Sequence, residues 1–152
     1  MECYTRHYGR LVRVLRLSGA DPGTAEELAQ EAFARALNKW GRISRGDNPP
    51  GYVYTTGFRL LRRHLARAAR WDIEEPAQLE RAPAVPADAE PATRLAVEAI
   101  LAVMPPKRRA CAVMCLLSGL TSKEAGKALG IADGTVRKHV EEARKDLAPI
   151  GF

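Results

Sequence analysis

The sequence predicts an all-α fold of two small helical domains, joined by a flexible acidic linker. Three observations carry this. Apolar residues recur at helical spacing on both sides of the middle of the chain, the middle is rich in proline, and charge is partitioned by segment. Residues 1–71 hold 13 basic and 6 acidic side chains, residues 72–98 hold 2 and 7, and residues 99–152 hold 9 and 5. Two basic modules therefore flank an acidic stretch. Pro76, Pro83, Pro86 and Pro91 remove backbone donors there and disfavour helix at the residues before them. The expected boundaries are 1–71, 72–94 and 95–152, with modules that pack on each other loosely or not at all. One helical domain carrying a long surface loop is the competing organisation, although loops of that length are uncommon in compact domains.

Composition narrows the function classes. Hydrophobic residues at 46% and charged residues at 28% of 152 positions describe a globular chain and exclude wholesale disorder. No apolar run approaches the roughly 18 residues of a membrane span, so no membrane insertion is expected, and the N-terminus lacks a signal-peptide pattern. Three cysteines, an odd number, argue against a disulfide scaffold and point to the reducing cytoplasm. A net charge of +6 favours a polyanionic partner.

The first helix is marked by Tyr4, Tyr8, Leu11, Val12 and Leu15, with Arg6, Arg10, Arg13 and Arg16 on the other side. Thr24-x-x-Glu27 then reads as a capping box opening a second helix. In it Ala25, Leu28, Ala29, Ala32, Phe33, Ala36, Leu37 and Trp40 form the expected core face, leaving Glu27, Gln30, Glu31 and Asn38 outward. After a loop over 41–51, a third helix is expected over 51–70. At 100° per residue its Arg59, Arg62, Arg63, Arg67 and Arg70 fall within about 140° of arc. Val53, Gly57, Leu60, Leu61, His64, Leu65 and Ala68 occupy the opposite, core side, and Tyr52, Thr55 and Thr56 join the arginine side at its start. A basic face with an aromatic ring and hydroxyls at one end suits a phosphate backbone with unstacked bases. A merely solvated arginine face is the alternative, made harder by the lack of interleaved acids.

In the second module, short helices are expected over 95–104 and 107–118, separated by Pro105-Pro106. Thr121-x-x-Glu124 is a second capping box, and Gly130 reads as the residue just past the end of that helix. After the turn Ile131–Gly134, the seam Val136, Val140, Ala143 and Leu147 anchors a longer helix. A short helix, a glycine turn and a longer helix describe a helix-turn-helix, with Arg137, Lys138, Glu141 and Lys145 facing away from the seam, where a major-groove reader would stand. An ordinary helical hairpin has similar periodicity.

Cys111 and Cys115 share a helical face but lack zinc-site neighbours, so they read as small core residues rather than metal ligands. His64, on the apolar arc, reads as a packed histidine. No nucleophile–base–acid cluster, glycine-rich phosphate loop or metal constellation appears. No enzymatic activity, cofactor or metal is expected.

The segments 25–40 and 49–67 resemble region 2, and the segment 104–147 resembles region 4, of the extracytoplasmic-function (ECF) group of bacterial sigma-70 factors. The second segment alone also resembles the DNA-binding domain of LuxR-type regulators, a reading that leaves the first module unexplained. The sigma resemblance implies three surfaces. Glu27, Gln30 and Glu31 would dock on the β′ clamp of core RNA polymerase, although Glu27 also has the capping role above. Tyr52, Thr55, Thr56, Arg59, Arg62, Arg63 and Arg67 would hold the separated strand of the downstream (−10) promoter element. Gly134, Thr135, Val136, Arg137, Lys138, Glu141 and Lys145 would read the upstream (−35) element. The β flap of the polymerase and an anti-sigma factor are further implied partners.

Departures from the family pattern carry expectations of their own. Arg59 stands where Asn is usual, and Ala132 stands where Ser often caps the reading helix, a role Asp133 can assume. Ala125-Gly126 replaces Ile-Ala, implying a looser first helix of the helix-turn-helix. The family's N-terminal helix is usually longer than here.

Overall fold

The computed structural model describes residues 2–46, 48–72 and 90–151, and among these every regular element is helical. Helices α1 (Glu2–Leu17), α2 (Pro22–Asn38), the single turn α3 (Trp40–Ile43) and α4 (Pro49–Arg67) make the first bundle. Helices α5 (Glu90–Val103), α6 (Pro106–Ala112, continuing as a π-helical turn through Leu117), α7 (Ser122–Leu129) and α8 (Asp133–Leu147) make the second. Residues 73–89 of the expected linker lie outside the described residues, and the helix expected from residue 95 already begins at Glu90.

The first bundle packs α1, α2 and α4 against one another. On α2 the fully buried positions are Ala25, Ala29, Ala32 and Ala36, each 2% exposed or less, a seam of small side chains that lets α1 and α4 approach closely. Leu28 and Phe33, expected in the core, are only half-buried, and Leu37 is 65% exposed. Phe58 and Tyr54 of α4 are buried instead, because they lie just outside the arc that the sequence periodicity delimits. Gly57 makes room for Leu11: a Cβ there would stand 3.0 Å from a Leu11 methyl. Between α1 and α4, the His7 Nδ1 and the Tyr54 hydroxyl share a hydrogen bond of 3.3 Å.

Two helix starts differ from expectation. The α2 cap is Asp21, whose carboxylate accepts from the Thr24 backbone N–H (2.9 Å) and hydroxyl (2.8 Å), so Thr24–Glu27 is no capping box. Pro22 explains the shift: at the first helical position its fixed φ is pre-set and its missing N–H costs nothing. Those two bonds hold the Asp21 carboxyl below its ordinary range. On α4, Asn48 caps through the Gly51 N–H (3.1 Å), and the helix starts at Pro49. It stops at Arg67, since Ala69 turns left-handed (φ 56°) and the Arg70 N–H closes back on the Leu65 carbonyl. Ala68 is accordingly exposed rather than packed, and Arg70 leaves the helical arginine face.

In the second bundle, the capping box at Thr121 is present in both directions, Glu124 N–H to Thr121 Oγ1 (3.1 Å) and Thr121 N–H to Glu124 Oε1 (3.0 Å). Gly130 ends α7 in the left-handed conformation (φ 71°), as expected. Gly126 does not loosen α7. A Cβ there would stand 2.7 Å from the Ile131 carbonyl oxygen, so glycine is what lets the turn fold tightly over the helix. Val136, Ala143 and Leu147 are buried and Val140 half-buried, as the seam predicted. Arg108 of α6 forks onto Glu142 (3.0 Å) and Asp146 (2.9 Å) of α8, fixing the two helices. The two bundles are packed together, α7 on α4 and the π-turn on α1, against the expectation of modules scarcely in contact.

Candidate nucleic-acid interface

The reading helix α8 presents its polar face to solvent: Gly134, Thr135, Arg137, Lys138, Glu141 and Lys145 are all exposed. Ala132 offers no side-chain cap, and Asp133 takes over, its Oδ1 accepting from the Gly134 N–H at 3.0 Å. Its other oxygen holds the Arg137 guanidinium at 3.2 Å, one turn along the helix. Both partners are more than half exposed, so the pair is easily exchanged for a DNA contact. Sequence reasoning missed Arg144, exposed on the same helix seven residues after Arg137; that i, i+7 spacing was the available signal. Arg137, Glu141 and Arg144 rim a groove of about 440 Å³ with Cys115, Leu116 and Leu120.

On α4 the expected strand-holding residues divide. Arg63 and Arg67 are exposed, and Tyr52, Thr55 and Arg59 are half-buried. Thr56 is only 6% exposed, its hydroxyl donating to the Tyr52 carbonyl at 2.8 Å. Arg62 is half-buried, its Nε enclosed without a hydrogen bond, and its guanidinium lies against Gly130 at the end of α7. The arginine face is thus partly covered by the helix-turn-helix.

On α2, Glu27, Gln30 and Glu31 are exposed along one face. Glu31 pairs with Arg35 (2.9 Å), and the Gln30 side-chain amide donates to the Tyr8 hydroxyl (3.3 Å). With its capping role removed, Glu27 is free of an intrahelical structural task at the N-terminus. Gln30 borders an apolar groove of about 390 Å³ lined by Cys3, Tyr4, Phe33, Leu37 and Trp40. The sequence pattern placed three of these residues in the core, because helical spacing alone does not tell a core-facing stripe from an exposed one.

Cys111 is buried, and burial pushes its thiol up to about 12; Cys115 is half-buried and also raised, chiefly by burial. His64 is half-buried, and all three cysteines are free. Burial lowers the pKa of His139, whose Nδ1 is enclosed without a hydrogen bond. Among the described residues, no group of three metal-ligating side chains comes together and no helix is long and apolar enough to cross a membrane.

Comparison with known proteins agrees with this arrangement. The family model for sigma-70 region 2 matches residues 3–71, and that for sigma-70 region 4 matches residues 94–147. The ECF RNA polymerase sigma factor SigE of Mycolicibacterium smegmatis is 31% identical over 96% of the chain, which spans 59% of that relative's length. The RNA polymerase sigma-E factor of Streptomyces coelicolor is 28% identical over 88% of the chain and 75% of its own length. The ECF sigma factor SigM of Mycobacterium tuberculosis is 26% identical over 98% of the chain and 75% of its own length. The sigma factor RpoE of Bartonella quintana, solved with the anti-sigma factor NepR, shares the fold with a TM-score of 0.64 at 19% identity, over 97% of this chain and 92% of its own. The region 2 match leaves the LuxR-type alternative without support.

Proposed function

Because the chain belongs to the ECF branch of the sigma-70 family, we propose that it is an RNA polymerase sigma factor that directs core polymerase to specific promoters. The observation that carries this is the pairing, on one chain, of an exposed basic reading helix with an arginine-rich helix in the order region 2, region 4. In this reading α8 enters the major groove of the −35 duplex through Gly134, Thr135, Arg137, Lys138, Glu141 and Lys145. A helix of its diameter fits that groove, and its cationic side chains supply both phosphate contacts and donors for base edges.

The α4 helix holds the opened −10 strand through Tyr52, Thr55, Thr56, Arg59, Arg62, Arg63 and Arg67, with domain limits of 1–71 and 95–152. Binding energy from this face offsets the cost of unstacking, a few kcal/mol per extruded base. The chain performs no covalent chemistry of its own, since the polymerase makes the bonds. Glu27, Gln30 and Glu31 dock on the β′ clamp, and the apolar groove beside Gln30 extends that surface. The second module meets the β flap, an anti-sigma factor is a further partner, and the site of action is the cytoplasm.

The test is run-off transcription by core polymerase from a promoter library, with and without the chain. Specific transcripts that require the chain support the proposal. Sequence-specific DNA binding with no polymerase association would overturn it.

A further inference from the structure

Two arginines cross between the bundles in opposite directions, and each lands on a helix C-terminus. Arg109 of α6 donates from Nε to the Leu17 carbonyl and from Nη2 to the Arg16 carbonyl (3.5 Å), at the end of α1. Those carbonyls are among the last of α1, which have no intrahelical donor, and they form the negative pole of its dipole. Gly19, with φ 116°, leaves the space: a Cβ there would stand 3.6 Å from the guanidinium. Burial, with help from Arg70, pulls the Arg109 guanidinium down to about 10, still charged at neutral pH. In return, Arg62 of α4 sits at the end of α7, where a Cβ on Gly130 would stand 3.0 Å from its Nη2. A third contact, Lys107 to Asp72 at 3.2 Å, ties the start of α6 to the chain just after α4.

Small clefts between modules normally hold through apolar area, but here charged groups on helix ends do much of the holding. Such contacts are oriented, screened by salt and reversible. They also lie on the wrong surface for a protein ready to bind, since the closure that Arg109 supports leaves Arg62 enclosed and Thr56 buried. We propose that Arg109 and Arg62 are reciprocal latches of a self-inhibited closed form, in which α7 covers the strand-holding side of α4 until the two modules part. The inhibitory half of this rests on the reading that α4 receives the opened strand; the closure itself does not.

The free full-length chain provides the first test. Phenylglyoxal modification, followed residue by residue by mass spectrometry, is expected to reach Arg63 and Arg67 at least about fivefold faster than Arg62 and Arg109, because modification of the latter pair waits on opening. Equal rates for Arg62 and Arg63 overturn the closed form. In Arg109→Ala, Arg62 reactivity rises toward that of Arg63, and the radius of gyration grows beyond the about 15 Å of a compact chain of this length. Affinity for a fluorescent single-stranded, thymine-rich oligonucleotide increases about three- to tenfold as the open population grows. A folded Arg109→Ala chain with Arg62 still protected overturns the latch, and an opened chain with unchanged oligonucleotide affinity overturns the inhibition. Should Arg109→Ala fail to fold, Lys107→Glu, at a position more than a third exposed, provides the same reading, with a smaller gain in Arg62 reactivity that adding Asp72→Lys reverses. The strand-holding reading fails separately, if Arg63→Ala, exposed even in the closed form, leaves strand capture by the polymerase complex unchanged.

Discussion

If α8 reads duplex DNA and α4 holds the opened strand, substitutions on the two helices must separate two DNA-binding activities. Consider Arg137→Ala. The guanidinium starts on Asp133 at 3.2 Å with both partners mostly exposed, an i, i+4 pair worth about 0.3–0.5 kcal/mol. A base-reading contact contributes about 1–3 kcal/mol. Giving up the first to gain the second leaves a net loss on substitution of about 1–2.5 kcal/mol, or roughly 5- to 60-fold in affinity for the upstream duplex. Lys138→Ala, a phosphate contact, should cost less and should flatten the salt dependence by about one counterion. Both variants should capture a single-stranded downstream oligonucleotide as well as wild type when loaded on polymerase. Arg63→Ala with Arg67→Ala should do the reverse. Fluorescence anisotropy with the two DNA forms, across a salt series, provides the numbers. If either pair of substitutions weakens both DNA forms equally, the assignment of the two faces is wrong.

Packing makes further predictions. Phe58→Ala should destabilise the first bundle by about 3–5 kcal/mol, since the ring is fully buried, and thermal melting would register it. Ala29→Asp, which places a carboxylate in the closed α2 seam, should abolish helical circular dichroism of that bundle, whereas Phe33→Asp, half-buried beside the apolar groove, should leave the fold in place and weaken co-purification with core polymerase. Gly126→Ala should lower the melting temperature despite alanine's better helix propensity, because the Ile131 carbonyl must move; overpacking of this kind costs about 1–3 kcal/mol. The Cys111 thiol keeps its proton to about 12 in the fold but ionises near its ordinary value when unfolded, so its contribution is intact at neutral pH and is lost as pH rises through that window. The alkaline limb of the stability profile should flatten in Cys111→Ala, and alkylation at mildly alkaline pH should reach Cys115 before Cys111.

Local rules in the sequence already determined much of this protein. The helices, the capping box at Thr121, the left-handed Gly130 and the exposed cationic face of α8 follow from spacing and residue type, because each depends on atoms within a turn or two of the chain. The paired motifs of 25–67 and 104–147 also made the family legible. Where two local signals competed, at Asp21-Pro22 against Thr24-x-x-Glu27, the proline's fixed φ decided, and the sequence contained that information too. Only the tertiary structure showed that Phe58 and Tyr54, rather than Leu28 and Phe33, fill the first core, because a helical stripe does not say which neighbour covers it. The same holds for Gly126, whose role comes from a carbonyl five residues away folded back over the helix, and for Arg108, whose partners stand more than thirty residues later in the chain. The covering of Arg62 and the capping of α1 by Arg109 belong to this class as well. Long-range contacts between charged side chains and helix ends have no periodicity to betray them, and they exist only once both modules have folded and met.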